Sequence, residues 1–369
     1  NFFDKNSINI KEVIIDEANF SLLSENFKLL YKNSDDKFSE KKIKINSSNI
    51  FFRDDLNEVI SIIKISKASL FFDEKNLLNL FDLKGEIFNI PFRLKYQNIL
   101  DLKKKKIEIK APDLKLKIVN EIFKIDENFS NGINNISILS SAINTKYNID
   151  NQIIVFQSKS SRVHNFKIDY SGQLTIKPFD LDLKINLPSY KISNLFKSNF
   201  IMNEFIKSGL LFNKNISVNT IVNIKSKIKG EIFDAAKVEL RILNGKINFD
   251  NTIFINKNIG LLEVSDSNLF LKNNRLILTA NLLLSIRNVD KFFSFLNTNK
   301  KSRKNIKDVK FKIIYDFLSN QIEFKNIKVN NNEVSDQFNH IVEGLGNNNS
   351  NNLTNSRRIL NELIDLYEG

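Results

Sequence analysis

Alternation of apolar and polar residues at every second position restricts this chain more than any other feature. The pattern recurs from near the first residues to about Val329. A period of two belongs to β-strands with one dry face, because successive side chains of a strand point to opposite sides. In the stretch Leu174 to Leu187, Leu174 and Ile176 alternate with polar residues, and beyond Pro178 the apolar set becomes Phe179, Leu181, Leu183, Ile185 and Leu187. Proline has no N–H for a ladder and is confined to edges, strand ends or bulges, so Pro178 is predicted to mark a bulge or a break between two strands. Pro112 separates Ile107 and Ile109 from Leu114, Leu116 and Ile118 in the same way.

Turn residues predict how the strands pair. Asn244-Gly245 is a strong two-residue turn signal and sets Ile242 against Ile247 and Leu240 against Phe249. Asn273-Asn274 sets Leu271 against Leu276 and Leu269 against Leu278. Ser319-Asn320 sets Phe317 against Ile322 and Tyr315 against Phe324. Each register keeps the apolar residues on one face. The expected fold class is mainly β: a long antiparallel sheet, a meander of about 18 strands, with a few short helices and a C-terminal amphipathic helix. At about 4.8 Å per strand such a sheet extends on the order of 85 Å and must twist and curl, or split. Either form is a trough with an apolar inside.

Three helices are predicted. Ser193 to Ser208 carries Leu195, Phe196, Met202, Phe205 and Ile206 at helical spacing, with Gly209 as a stop. Val289 to Asn297 is a short second one, with Asn288 as its N-cap. Ser356 to Tyr367 places Ile359, Leu360, Leu363, Ile364 and Tyr367 on one face. The organisation read from this is an elongated β region over 1–335, a polar linker over 336–355, and the C-terminal helix over 356–369.

Composition excludes several chemistries. With 42% hydrophobic and 26% charged residues, the 369-residue chain can bury enough apolar surface to fold. It has no cysteine, so disulfides, thiolate zinc sites and cysteine nucleophiles are out, while the compartment stays unspecified. No apolar run approaches the ~20 residues of a membrane-spanning helix. The chain begins at Asn1 without a signal-peptide pattern and is read as a fragment or a processed form. A net charge of +13 raises nucleic acid or an anionic membrane surface as partners. Most lysines, however, alternate singly with apolar residues, as in Leu114-Lys115-Leu116-Lys117-Ile118, which is how the wet face of a strand reads. The denser runs Lys103 to Lys106 and Lys300 to Lys304 read as solvated loops or turns, or as contacts with phospholipid headgroups.

No catalytic constellation emerges. The two histidines, His164 and His340, lie in unrelated contexts, and the carboxylate doublets Asp35-Asp36 and Asp54-Asp55 sit in polar sequence where Asp serves local backbone hydrogen bonding. Nucleoside-triphosphate, metalloprotease, EF-hand and serine-hydrolase motifs are missing. An enzyme is not expected, nor a metal or other cofactor. Nucleic acid is not expected as a partner either, since the aromatic residues run in phase with the aliphatic ones, as core or groove residues do.

The recurrent units Ile8-Asn9-Ile10-Lys11-Glu12-Val13-Ile14-Ile15-Asp16-Glu17-Ala18 and Ile63-Lys64-Ile65-Ser66-Lys67-Ala68-Ser69-Leu70, with Tyr170-Ser171-Gly172 leading to Lys177-Pro178-Phe179, resemble the AsmA-like family of bacterial envelope proteins, related to TamB and other repeating β-groove proteins. The resemblance is diffuse, over about residues 1 to 335. It implies a periplasmic protein held in the inner membrane by an N-terminal segment that this chain lacks. The implied role is binding or conducting phospholipid acyl chains in an apolar β-groove, in support of outer-membrane assembly. The partners implied are phospholipid or another envelope lipid, and envelope assembly proteins; oligomeric state is left open. The groove candidates are Leu174, Ile176, Phe179, Leu181, Leu183, Ile185 and Leu187. Alternation also suits a closed core, in a β-sandwich or solenoid that acts as an adhesin or scaffold for a protein partner.

Overall fold

The computed structural model describes residues 11–23, 36–53, 57–164, 166–176, 178–192, 212–226, 232–273, 275–319, 321–346 and 353–367. The chain is mainly β, with 22 strands and three α-helices among these residues. It divides into two compact units, 1–165 and 166–369, where the sequence reading treats 1–335 as one region. The predicted helix over Ser193 to Ser208 lies outside the described residues.

The first unit holds β1 (Glu12–Asp16), β2 (Asn19–Leu23), β3 (Lys42–Arg53), β4 (Val59–Asp73), β5 (Leu78–Ile87), β6 (Ile90–Ile99), β7 (Lys104–Ala111), β8 (Leu116–Lys124), β9 (Phe129–Ile138), β10 (Ser141–Asp150) and β11 (Ile153–Val163). From β3 to β11 each strand pairs antiparallel with the next, the meander that short turns dictate. β1 and β2 depart from it, because both run parallel to β3. The 18 residues between Leu23 and Lys42 give the chain length to return in the same direction, which a two-residue turn cannot do. Pro112 opens a 3-10 turn, Pro112–Leu114, closed by Lys115 at φ 49°. Leu114, read as part of the alternating set, therefore sits in the turn, and β8 begins at Leu116.

The second unit holds β12 (Phe166–Thr175), β13 (Phe179–Leu187), β14 (Ile216–Lys225), β15 (Ala235–Leu243), β16 (Lys246–Asn248), β17 (Thr252–Asn256), β18 (Gly260–Lys272), β19 (Arg275–Ile286), β20 (Asp308–Asp316), β21 (Gln321–Val329) and β22 (Asn332–Glu333). Pro178 falls in the turn between β12 and β13, an antiparallel pair that sets Leu174 opposite Leu181. β13 and β14 are parallel, Phe179 through Leu187 matching Ile216 through Ile224, and again a long connection makes this possible. The wholly antiparallel expectation is corrected at these places.

Two predicted hairpins have the expected register: Ile242 faces Ile247 across Asn244-Gly245, and Leu271 and Leu269 face Leu276 and Leu278. Gly245 takes φ 74° in its turn, a conformation that glycine adopts at no steric cost. Phe249 falls beyond the end of β16, so its predicted partnership with Leu240 does not form a ladder pair. The third hairpin is shifted by two residues, pairing Tyr315 with Ile322 and Ile313 with Phe324. The Asp316 carboxylate accepts hydrogen bonds from the backbone N–H groups of Leu318 (2.8 Å) and Ser319 (3.3 Å), which starts the turn early.

Helix α1 (Val289–Leu296) begins at Asn288, whose side chain accepts from the Lys291 N–H at 3.0 Å. It is followed by α2 (Asp336–Gly346) and α3 (Leu353–Leu366). Residues 336–346, assigned above to a polar linker, form α2 with Phe338 and Val342 buried. In α3 the residues Ile359, Leu363 and Ile364 are buried, with Tyr367 just beyond, whereas Leu360 stands 39% exposed on the flank.

Candidate functional site

The seven candidate residues fall at three depths of one sheet face in the second unit. Leu187 is in the core, 9% exposed, packed in a cluster with Ile192, Ile224, Ala236 and Phe254. Leu174, Leu181, Leu183 and Ile185 are half-buried. Ile176, in the turn, and Phe179, at the start of β13, are the rim, 53% and 38% exposed.

Cross-strand register explains the gradient. Leu187 begins a row that passes through Ile224, Ala236, Phe254 and Leu262 to Leu284, Val309 and Val329, one residue per strand. Helices α1 and α3 close the far end of this row with Phe293, Leu296, Ile364 and Tyr367, in one cluster with Ile286 and Val329. Six residues towards the other strand end, Leu174 and Leu181 begin a second row, through Val218, Ile242, Ile247 and Leu269 to Leu278, Tyr315 and Ile322. Its middle is buried, but its two ends are half-buried. A bulge around Asp266 and another at Asn326, both at positive φ, change the residue parity on β18 and β21 and so keep the apolar side chains on the same face.

The opposite face of β13 and β14 is polar. Asn219 donates to Asp182 at 3.0 Å and Asn223 to Asn186 at 3.1 Å, a side-chain ladder between parallel strands in matched register.

The first unit carries an apolar row that the candidate residues missed, although the same alternation encodes it. Ile45, Ala68, Leu83, Leu94, Ile109, Ile118, Ile136 and Ile143 occupy one register position on eight successive strands. Ala68 and Leu83 are buried, while the members from β6 to β10 are half-buried, and no α-helix is present among the described residues of this unit. At one border of the face lie the buried polar residues Asn79, Asn98 and Lys105. Asn79 accepts from the Phe38 N–H at 2.8 Å and donates to the Asp36 carbonyl at 2.7 Å, which straps the segment before β3 across that border. Elsewhere on the face Tyr147 lies across Gly132, directly opposite it, and donates to Asn120 at 2.7 Å.

No protein-family model and no curated protein matches this chain.

The remaining polar candidates stay apart. His164 and His340 are both exposed, one in a turn after β11 and the other on α2. Asp35 and the Asp54-Asp55 doublet lie outside the described residues. Among the described residues no three His, Asp or Glu side chains gather as a metal site, and no helix is long and apolar enough to cross a membrane. The basic run at 103–106 is largely strand and not loop: Lys104 and Lys106 pair with Glu121 at 2.9 and 3.4 Å, and Lys105 turns to the other face. Lys300–Ser302 is a 3-10 turn.

Proposed function

We propose that this chain is a non-enzymatic envelope protein whose apolar sheet face binds phospholipid acyl chains and passes them between the inner and outer membranes. The reading makes it an AsmA-like protein of the periplasm, held to the inner membrane by a segment outside this sequence, and supporting outer-membrane assembly. The observation that carries it is the half-buried state of the apolar rows. In a filled sandwich the central residues of each strand are covered by a second layer, yet Leu94, Ile109, Ile118, Ile136 and Ile143 retain partial exposure over five consecutive strands.

The mechanism is physical. An acyl chain of ~14 methylenes set free in water costs on the order of 11 kcal/mol at ~0.8 kcal/mol per CH₂. A sheet face whose backbone is already hydrogen-bonded offers that chain an apolar surface along its whole length, so the headgroup stays wet while the tail stays dry. Leu174, Leu181, Leu183 and Ile185 are the residues of the second unit that contact lipid in this account. The helices α1 to α3 cover the neighbouring part of the same face, which favours a closed core there.

Displacement of a fluorescent phospholipid tests the proposal. Leu183→Asp is expected to weaken binding at least tenfold with unchanged far-ultraviolet circular dichroism. Wild-type affinity in that folded variant contradicts the assignment of Leu183.

A further inference from the structure

Behind the apolar row of the first unit, on the wet face, runs a row of cations. Lys67 pairs with Lys84, Lys84 with Arg93, Arg93 with Lys110, and Lys110 with Lys117, so five successive strands, β4 to β8, place a positive side chain at the same register position. All five residues are exposed. Like charges set directly opposite destabilise a sheet, so a row of five demands an explanation that ordinary strand alternation does not give. The adjacent row shows what alternation normally provides: Asp82, Lys95 and Glu108 change sign from strand to strand.

Only part of the row is neutralised. Arg93 pairs with Asp82, and Lys110 with Glu108 at 2.5 Å. Lys67, Lys84 and Lys117 have no ion pair among the described residues. The row spans about 19 Å at about 4.8 Å per strand. A shallow cleft of about 200 Å³ between Arg93, Lys95, Glu108 and Lys110 lies on it.

We infer that this cationic row docks the protein on an anionic phospholipid bilayer surface. Charge complementarity sets the sign of the partner. Four of the five cations are lysines, compact point charges that attract a field of headgroup phosphates without the two-pronged geometry of arginine. The row and its two flanking rows carry no aromatic side chain on this face, so no platform exists for stacking the bases of a nucleic-acid strand. Each lysine near an anionic surface strengthens binding about fivefold. The inference is independent of acyl-chain binding, because the cations and the apolar row occupy opposite faces of the same strands.

The test is co-sedimentation with vesicles of phosphatidylglycerol in phosphatidylcholine, against vesicles of phosphatidylcholine alone. The full chain is compared with the triple variant Lys67→Gln, Lys84→Gln, Lys117→Gln and with a charge-matched control, Lys184→Gln, Lys246→Gln, Lys272→Gln. Removal of like-charge repulsion leaves the row variant as stable as the wild type, which its melting temperature checks. The expected result is binding only to phosphatidylglycerol vesicles, about 100-fold weaker in the row variant, with the control within a few fold of wild type. Equal losses in the two variants, or no vesicle binding by the wild type, overturn the inference. Tighter binding of a single-stranded oligonucleotide than of vesicles, lost in the row variant, overturns it in favour of nucleic acid.

Discussion

Asn361 of α3 donates its side-chain amide to the Leu296 carbonyl at the end of α1, at 3.0 Å, and accepts from the Thr298 hydroxyl at 2.6 Å. One side chain thus satisfies the end of one helix and joins it to another, between residues 65 positions apart. Around it, Phe293 and Leu296 meet Ile364 and Tyr367 in the cluster that closes the Leu187 row.

Replacing Asn361 by Leu leaves the Leu296 carbonyl and the Thr298 hydroxyl without this partner in a partly buried place. The expected cost is about 1–3 kcal/mol, read as a lower urea midpoint. Because the apolar contacts of α3 remain, the helix content by circular dichroism before the transition should match the wild type.

Leu183 and Leu187 lie on one strand and one face but differ in depth, so the same substitution separates them. Leu187→Asp puts a charge into a cluster with Ile192 and Ile224, each 1% exposed, and should cost more than about 3 kcal/mol. Leu183→Asp, on a half-buried position, should cost less than half of that. Matching urea midpoints for the two variants would contradict the assigned difference in depth.

Tyr147 and Gly132 form a second coupled pair. A Cβ added at Gly132 would lie 2.3 Å from the Tyr147 Cζ, so Gly132→Ala must displace the ring and lose its hydrogen bond to Asn120. The expected loss is about 1–3 kcal/mol, and most of it should vanish in a Tyr147→Ala background. Additive losses in the double-mutant cycle would show that the ring and the glycine are not in contact.

Glu239 is 5% exposed between Lys237 and Arg241, and its hydrogen bond to the Lys237 ammonium holds its carboxyl below the usual carboxylate range. Glu121, bonded to Lys104, and Glu108, bonded to Lys110, are lowered in the same direction. A carboxylate with a lowered folded-state pKa stabilises the fold above its unfolded value, about 4.3, and that contribution disappears as pH falls through the folded value. Glu239→Gln should therefore lower the melting temperature most at neutral pH, with the gap to wild type shrinking as pH falls below the unfolded value and through the lowered folded one. A gap that is constant with pH would show that Glu239 acts by shape alone.

Much of the strand architecture was legible because period two is a direct signature of a sheet face, and because Asn244-Gly245 and Asn273 sit at turns that fix register. Asn288 was legible as a cap for the same local reason. What sequence did not show depends on distant geometry. Parallel pairing of β13 with β14 is decided by a long connection, not by the residues of either strand. The turn after Asp316 depends on a carboxylate closing on two N–H groups, which pulled the register two residues from the Ser319-Asn320 prediction. Helix α2 has few apolar residues, and it is its packing against β21 and α3, through Ile327, Ile359 and Leu363, that makes Phe338 and Val342 core. The candidate face was legible as apolar in its phase, while its depth was not, since Leu187 and Leu183 look alike in sequence and only Leu187 belongs to the buried cluster that holds Ile192, with Tyr190 packed against it.

The cationic row was hidden for a related reason. Lys67, Lys84, Arg93, Lys110 and Lys117 are unremarkable singly, and their alignment appears only once four successive registers are known.

Mass spectrometry of lipids that copurify with the detergent-free protein tests the central claim most directly. An apolar face that holds acyl chains predicts phospholipid in near-stoichiometric amount, reduced in Leu183→Asp. A fully folded protein that is reproducibly free of lipid would contradict the account and favour a closed core in an adhesin or scaffold.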